Sequence, residues 1–216
     1  MKLRTFLRPL LMLIVSSSAL TLPAAPLEHD LGQGLRLYRI HALPADLPAT
    51  APAEGKAAPC VVDLRYVQTE AEGATAFEAW LRFRAKPRTP VFVLANSDTS
   101  SSLLRSLAQR EVGGGIVLVG VPSRQLKPDV AVRASGGDEK RAYEALERGV
   151  PLAALLTDNP DKVRNDEASL SRDRLAEASA DAAADALGQK VEGLTVDLAL
   201  QRAVHLHRAL VALKKL

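Results

Sequence analysis

The chain has one cysteine and four histidines, and aromatic residues make up only 4% of its 216 residues. With Cys60 alone, no internal disulfide can form and thiolates cannot build a zinc site. The histidines carry no metal signature: His29 and His41 are isolated, while His205 and His207 lie two positions apart, a spacing that sends them to different faces of a helix, solvated or interfacial. No His-Glu-x-x-His pattern or carboxylate cluster is visible along the chain, and the glycines of "GGG" at 113 to 115 and of "GGDEK" from Gly136 lack the context of a phosphate-binding loop. No metal or other cofactor is expected. With so few aromatics, alanine and leucine must fill most of the interior.

Long apolar runs are also missing. The longest, Leu10 to Val15, lies in "MKLRTFLRPLLMLIVSSSALTLPAAP", after Lys2, Arg4 and Arg8 and before small residues leading to Ala24 and Ala25. That order of basic, apolar and small residues reads as a secretory signal peptide over residues 1–25. It falls far short of the roughly 20 residues that a membrane-crossing helix needs. The mature chain is therefore expected to be soluble and exported, periplasmic or extracellular, with no membrane span. Three of the 28 basic residues belong to this leader, which leaves 25 against 25 acidic ones. A sequence pI near 9.1 thus reflects the discarded part, and nucleic acid is not an expected partner.

Four regions follow from the patterning. Residues 1–25 are the leader, and residues 26–59 hold a strand in "GLRLYRIHAL" and a Pro/Ala-rich connection, "PADLPATAPAEGKAAP". Residues 60–157 alternate short apolar runs, "CVVDLRYV", "PVFVLAN", "GGGIVLVG" and "DVAVRA", with helical patterns. Phe77, Trp80 and Leu81 share one helix face, Leu103, Leu104, Leu107 and Ala108 another, and "GGDEKRAYEALERG" has acidic residues in its first turn. Such alternation predicts a layered α/β core with mainly parallel strands joined by crossover helices. Residues 158–216 begin with a charged stretch, 158–174, read as solvated surface, and end in two helices. One is Ala-rich, from about Arg172 to Leu187; the other carries an apolar stripe of Val196, Ala199, Leu200, Ala203, Leu210 and Leu213, with Thr195 placed to cap it.

The most distinctive short stretch is "LANSDTSSSLLRSLAQR", where a strand hands over to a helix among hydroxyl side chains. Serine and threonine are favoured helix caps, so such a run needs no chemistry to explain it. Three pieces nevertheless stand in a particular order: Asp63, Leu64 and Arg65; then Asn96, Thr99, Ser101 and Ser102; then Val119, Gly120, Pro122 and Ser123. In order and spacing they resemble the core of the C-terminal processing, or tail-specific, serine peptidases, which share the Clp protease/crotonase-like fold. "KPDVAV" is similar to that family's late Pro-Asp-Val strand. The resemblance spans residues 60 to 213 and is densest from 60 to 123.

The resemblance implies a serine hydroxyl, here Ser101, activated by a neutral lysine, for which Lys127 is the candidate, with backbone amides holding the oxyanion. The chain departs from the family in the surroundings of both. The family's Gly-Lys-Gly turn and following hairpin are gone, because "VGVPSRQLKPDVAV" joins the two strands directly, and Pro128 restricts Lys127 to extended backbone. The family's Gly-rich stretch after Asp-Leu-Arg is replaced by "YVQTEAEG", and Tyr66 to Glu72 cannot take at low cost the glycine-favoured conformations that aim amides at a substrate. The acidic residue after the serine motif is Leu104 here. The expectation is an exported, catalytically impaired peptidase relative with a binding or structural role towards protein or peptide; the alternative is an active serine endopeptidase using Ser101 and Lys127. A third reading, a binding module using the old cleft, differs from the first in whether that cleft is open or filled by side chains.

Overall fold

A computed structural model describes residues 27–49, 57–110, 114–156 and 196–216. The expected leader, residues 50–56 of the Pro/Ala-rich connection, the charged stretch 158–174, the Ala-rich helix and Thr195 lie outside the described residues. In chain order the elements are β1 (Leu27–Asp30), β2 (Arg36–Arg39), β3 (Cys60–Asp63), α1 (Ala71–Arg84), β4 (Val91–Leu94), α2 (Ser101–Ala108), β5 (Ile116–Gly120), β6 (Val130–Ala131), α3 (Gly136–Glu147), α4 (Leu152–Leu155) and α5 (Leu198–Ala212).

The strands form one six-stranded sheet whose spatial order is the chain order. Only β1 and β2 are antiparallel; every later pair is parallel, with Val62 opposite Val93 and Phe92 opposite Val117. Both faces are covered, as the near-continuous apolar runs require. Cys60, Val62, Val91, Val93 and Leu118 face α1 and α2 and meet Phe77, Trp80, Leu103 and Leu107. Val61, Phe92, Leu94 and Val119 face the other way and meet Ala145 of α3, Leu155 of α4, and Leu200 and Ala203 of α5. The result is a three-layer α/β/α arrangement. Trp80 packs as its spacing predicts, and its indole N–H donates to Pro48 O at 2.8 Å.

Several details differ from the sequence reading. β1 was not foreseen, because "LEHD" is largely exposed and carries no apolar alternation; it forms by pairing across a turn whose Gly32, Gln33 and Gly34 all have positive φ. Ala108 is exposed rather than inward-facing, and Leu213, 65% exposed, lies beyond the end of α5. The cap of α5 is Asp197, whose carboxylate accepts from Leu200 N at 3.0 Å.

The linker 121–129 between β5 and β6 is too short for a crossover helix. Leu126 fills that role with one side chain, buried among the α1 and α2 residues, and the turn is closed by Ser123 N donating to Leu126 O at 3.0 Å. Gly120 makes room for it: a Cβ there would stand 2.2 Å from Ala95 O and 3.2 Å from Leu126 Cδ2. Among the described residues no helix is long and apolar enough to cross a membrane.

Candidate functional site

In a parallel sheet with helices on both faces, sites form outside the carboxyl ends of the strands, where helices begin and loops diverge. Both groups of residues singled out in the sequence, around Asp63 and around Ser101, sit at this edge.

The hydroxyls of the β4 to α2 connection act mainly as stitches to the segment after β3. Thr99 Oγ1 donates to Leu64 O at 3.0 Å, and Ser102 Oγ donates to Thr69 O at 2.9 Å. Ser100 is the N-cap of α2, yet its hydroxyl makes no cap bond and instead meets Ser102 Oγ at 3.1 Å. Several amides before the helix are occupied too. Val67 N donates to Leu64 O, Ser100 N to Val67 O, Thr99 N to Asn96 O, and Asp98 N to Asn96 Oδ1.

Ser101 is the first residue of α2; it is exposed, and its hydroxyl has no hydrogen-bond partner among the described residues. Lys127 is exposed in the linker 121–129. No hydrogen bond joins the two among the described residues. Two positions after Lys127, Asp129 accepts from Leu118 N at 2.8 Å and pairs with Arg110, just past the far end of α2, at 2.6 Å. The linker is thus already leaving the edge where Ser101 stands.

The turn after β3 takes one glycine-favoured conformation, at a cost. Tyr66 does adopt a left-handed conformation, φ 65°, in a turn closed by Val67 N donating to Leu64 O at 3.1 Å. A bulky residue there carries a penalty of about 1–2 kcal/mol, offset by contacts: its ring meets Tyr143 edge-on at 4.8 Å. The glycine-like backbone is present, and the amides on either side of it, Arg65 N and Val67 N, are bonded to Asp63 Oδ1 and Leu64 O.

What fills the edge is a buried ionic network. Arg65, fully buried, forks onto two carboxylates. Its Nε and Nη2 donate to Asp63 at 2.9 and 2.7 Å, while Nη1 and Nη2 donate to Asp197 at 3.0 and 2.7 Å. Arg39, also fully buried, donates to Asp63 Oδ2 at 3.3 Å, to Tyr143 O at 2.9 Å and to Glu147 Oε1 at 2.9 Å, and lies 4.0 Å from the centre of the Tyr143 ring. Glu139 completes the set, accepting from Asn96 Nδ2 at 3.4 Å and standing 3.9 Å from Arg65 Nη1.

The electrostatics follow from crowding. Burial by itself would raise the Asp63 pKa, but the charge and hydrogen bonds of Arg65, aided by Arg39, overcome it and hold the carboxyl below its ordinary range. Burial works against the Arg65 cation as well, and Asp197 and Asp63 outweigh it, so its pKa rises. For Glu139 burial wins over Arg65 and the Asn96 bond, and its pKa is raised. Burial also pushes the Tyr66 and Tyr143 hydroxyls up to about 12.

The carboxylate cluster that the linear sequence concealed is therefore real in three dimensions, drawn from β3, α3 and the start of α5. Among the described residues it is not a metal cage, and the guanidinium of Arg65 occupies its centre. The cluster borders a pocket of about 10 Å³, lined by Val121, Val132, Glu139 and Asp197, at the lower limit for one water. A larger cleft, about 500 Å³, lies at the opposite edge of the sheet between the ends of α1 and α2, lined by Arg82, Lys86, Gln109, Arg110 and Ile116. His207, read as solvated or interfacial, is a buried residue of α5, where burial and then Arg208 lower its pKa.

Arg39, Glu139 and Asp197 were not anticipated in this role. For Asp197 a signal existed, since an acidic residue just ahead of an apolar helix pattern is a cap; nothing local marks the other two. No protein-family model, curated protein or solved structure matches the chain.

Proposed function

We propose that the chain is an exported relative of the tail-specific serine peptidases, catalytically impaired, built on a Clp protease/crotonase-like core and serving a binding or structural role towards protein or peptide in the cell envelope. The observation that carries this reading is the filled carboxyl edge, where a substrate cleft would lie. Arg39, Asp63, Arg65 and Asp197, each no more than 1% exposed, occupy it and bond to one another. The parallel β3, β4 and β5 with α1 and α2 on one face, and the helix that begins at Ser101, are compatible with that lineage.

The chemistry points the same way. A Ser-Lys dyad requires the amine within about 3 Å of the hydroxyl and shielded from water, whereas Lys127 is exposed and unbonded to Ser101. An oxyanion site requires free, converging amides, whereas those of Val67, Asp98, Thr99 and Ser100 are already paired. A filled edge favours a structural role over a binding module that uses the old cleft.

Incubation of the purified chain with unstructured fluorogenic peptides and with a fluorophosphonate probe, beside Ser101→Ala and Lys127→Ala controls, tests the proposal. The expected result is no cleavage or labelling above that of the Ser101→Ala protein. Turnover abolished by both substitutions would overturn it in favour of an active serine endopeptidase.

A further inference from the structure

We propose that Glu139 holds a proton in the closed structure and is a pH-sensitive latch: its ionisation loosens α3 and the start of α5 from the carboxyl edge of the sheet. The inference is independent of the lineage proposed above.

It begins with a charge count. The network contains two fully buried cations, Arg39 and Arg65, and these are matched by the two most deeply buried carboxylates, Asp63 and Asp197. Four of the five Arg65 N–H groups are committed to those two aspartates. Glu139 is a third carboxyl at the same guanidinium, 8% exposed, and among the described residues it has no cation of its own. The nearest Arg65 nitrogen is 3.9 Å from Oε1, beyond hydrogen-bond range, and Oε1 has no hydrogen-bond partner among the described residues. Oε2 receives one long bond, 3.4 Å, from the neutral amide of Asn96.

The groups facing Glu139 come from every element packed around it. Asp63 from β3 and Asp197 from α5 repel its anion; Arg65 attracts it but is already shared; Asn96 after β4 supplies one weak donor. Tyr66, beside it, feels the same carboxyl. On its own helix Glu139 lies near the first turn of α3, whose dipole favours an anion, an effect weaker than desolvation. Burial is the largest influence on the group and raises its pKa. An ionised Glu139 would add negative charge beside Asp197, the residue that caps α5 and binds Arg65. The start of α5 is therefore where the strain of ionisation is relieved.

The sign is fixed by linkage. A carboxyl with a raised native pKa keeps its proton when the unfolded chain has lost it, so stability falls as pH rises from about 4.3 towards the native value. Glu139→Gln, a permanently neutral substitute, should escape this loss. Urea denaturation of the full chain and the variant across pH 4 to 8 should show the folded-to-unfolded ratio of Glu139→Gln over the parent rising about tenfold per pH unit across that window, then levelling. A ratio that does not change with pH would overturn the proposal. Carbon NMR of the parent labelled at its glutamate carboxyls needs no variant: one carboxyl should titrate above all exposed glutamates, and uniform titration in the ordinary range would refute the proton. The protection of the amides of residues 198–201, taken relative to the base-catalysed intrinsic exchange rate at each pH, should fall with that titration in the parent and not in Glu139→Gln; identical protection profiles in both would refute the latch.

Discussion

Replacing Arg65 with methionine keeps much of the aliphatic volume and removes the charge at the centre of the buried network. Four charge-assisted hydrogen bonds of 2.7 to 3.0 Å disappear. Adding them at about 1.5–3 kcal/mol each would give about 6–12 kcal/mol, which overshoots, because the substitution also removes the penalty of burying a guanidinium. Breaking a buried ion pair from one side costs about 3–5 kcal/mol, and that is the expected loss, set against a total stability of about 5–15 kcal/mol for a domain. Arg65→Lys keeps the charge but not the double fork and should fall between. Urea denaturation read by Trp80 fluorescence measures both. The pH dependence supplies a second test. In the parent, the depressed Asp63 pKa means a contribution present above about pH 3.9 and lost as pH falls through the native value. In Arg65→Met the same buried carboxyl keeps only Arg39 and the backbone N–H of residue 65, its pKa moves up, and acid relieves the repulsion. The gap between parent and variant should therefore shrink from pH 7 towards pH 4. A loss below about 1 kcal/mol, the scale of a surface ion pair, or a gap that widens in acid would refute the reasoning.

Two further outcomes follow from local geometry. Gly115→Ala should destabilise the chain by about 1–3 kcal/mol or more, because φ is 87° and a Cβ would stand 2.3 Å from Lys86 O; an unchanged thermal midpoint would contradict this. The Cys60 thiol, 1% exposed and pushed by burial up to about 11, should resist a disulfide reagent in the native protein and react at once in urea. Prompt full labelling without denaturant would show that β3 is not held in the sheet interior as described.

The layered core was legible in the sequence because parallel strands buried on both faces are short apolar runs, and the helices between them carry one apolar face each. The runs at Cys60, Val91 and Ile116 became adjacent parallel strands for that reason. β1 was not legible, since an exposed edge strand has no pattern to display. The network was half legible. Asp63 and Arg65 stood out by their order along the chain, yet Arg65 reaches 132 positions onward to Asp197, and Arg39 reaches 108 onward to Glu147. Partners so distant leave no local periodicity, and only the topology that brings β2, β3, α3 and α5 to one edge creates them. The left-handed Tyr66 was hidden for a different reason: backbone propensity argued against it, and a tertiary contact with Tyr143 overrode the propensity.

Why this edge carries so much charge can be traced to its helices. α2, α3 and α5 all begin at the carboxyl end of the sheet, and each beginning exposes unpaired amides that favour an acceptor or a negative charge. Asp197 answers that demand at α5 by accepting from Leu200 N, and Ser135 does so at α3 by accepting from Asp138 N. Asp197, placed for a helix terminus and then buried by closure of the layers, needs a cation nearby, and Arg65 supplies it from just beyond the end of β3. Arg65 and Arg39 in turn fill the carboxyl edge of the sheet. Capping, charge balance and closure are on this view one arrangement: opening the edge to a ligand would require separating the ion pairs that hold α5 in place.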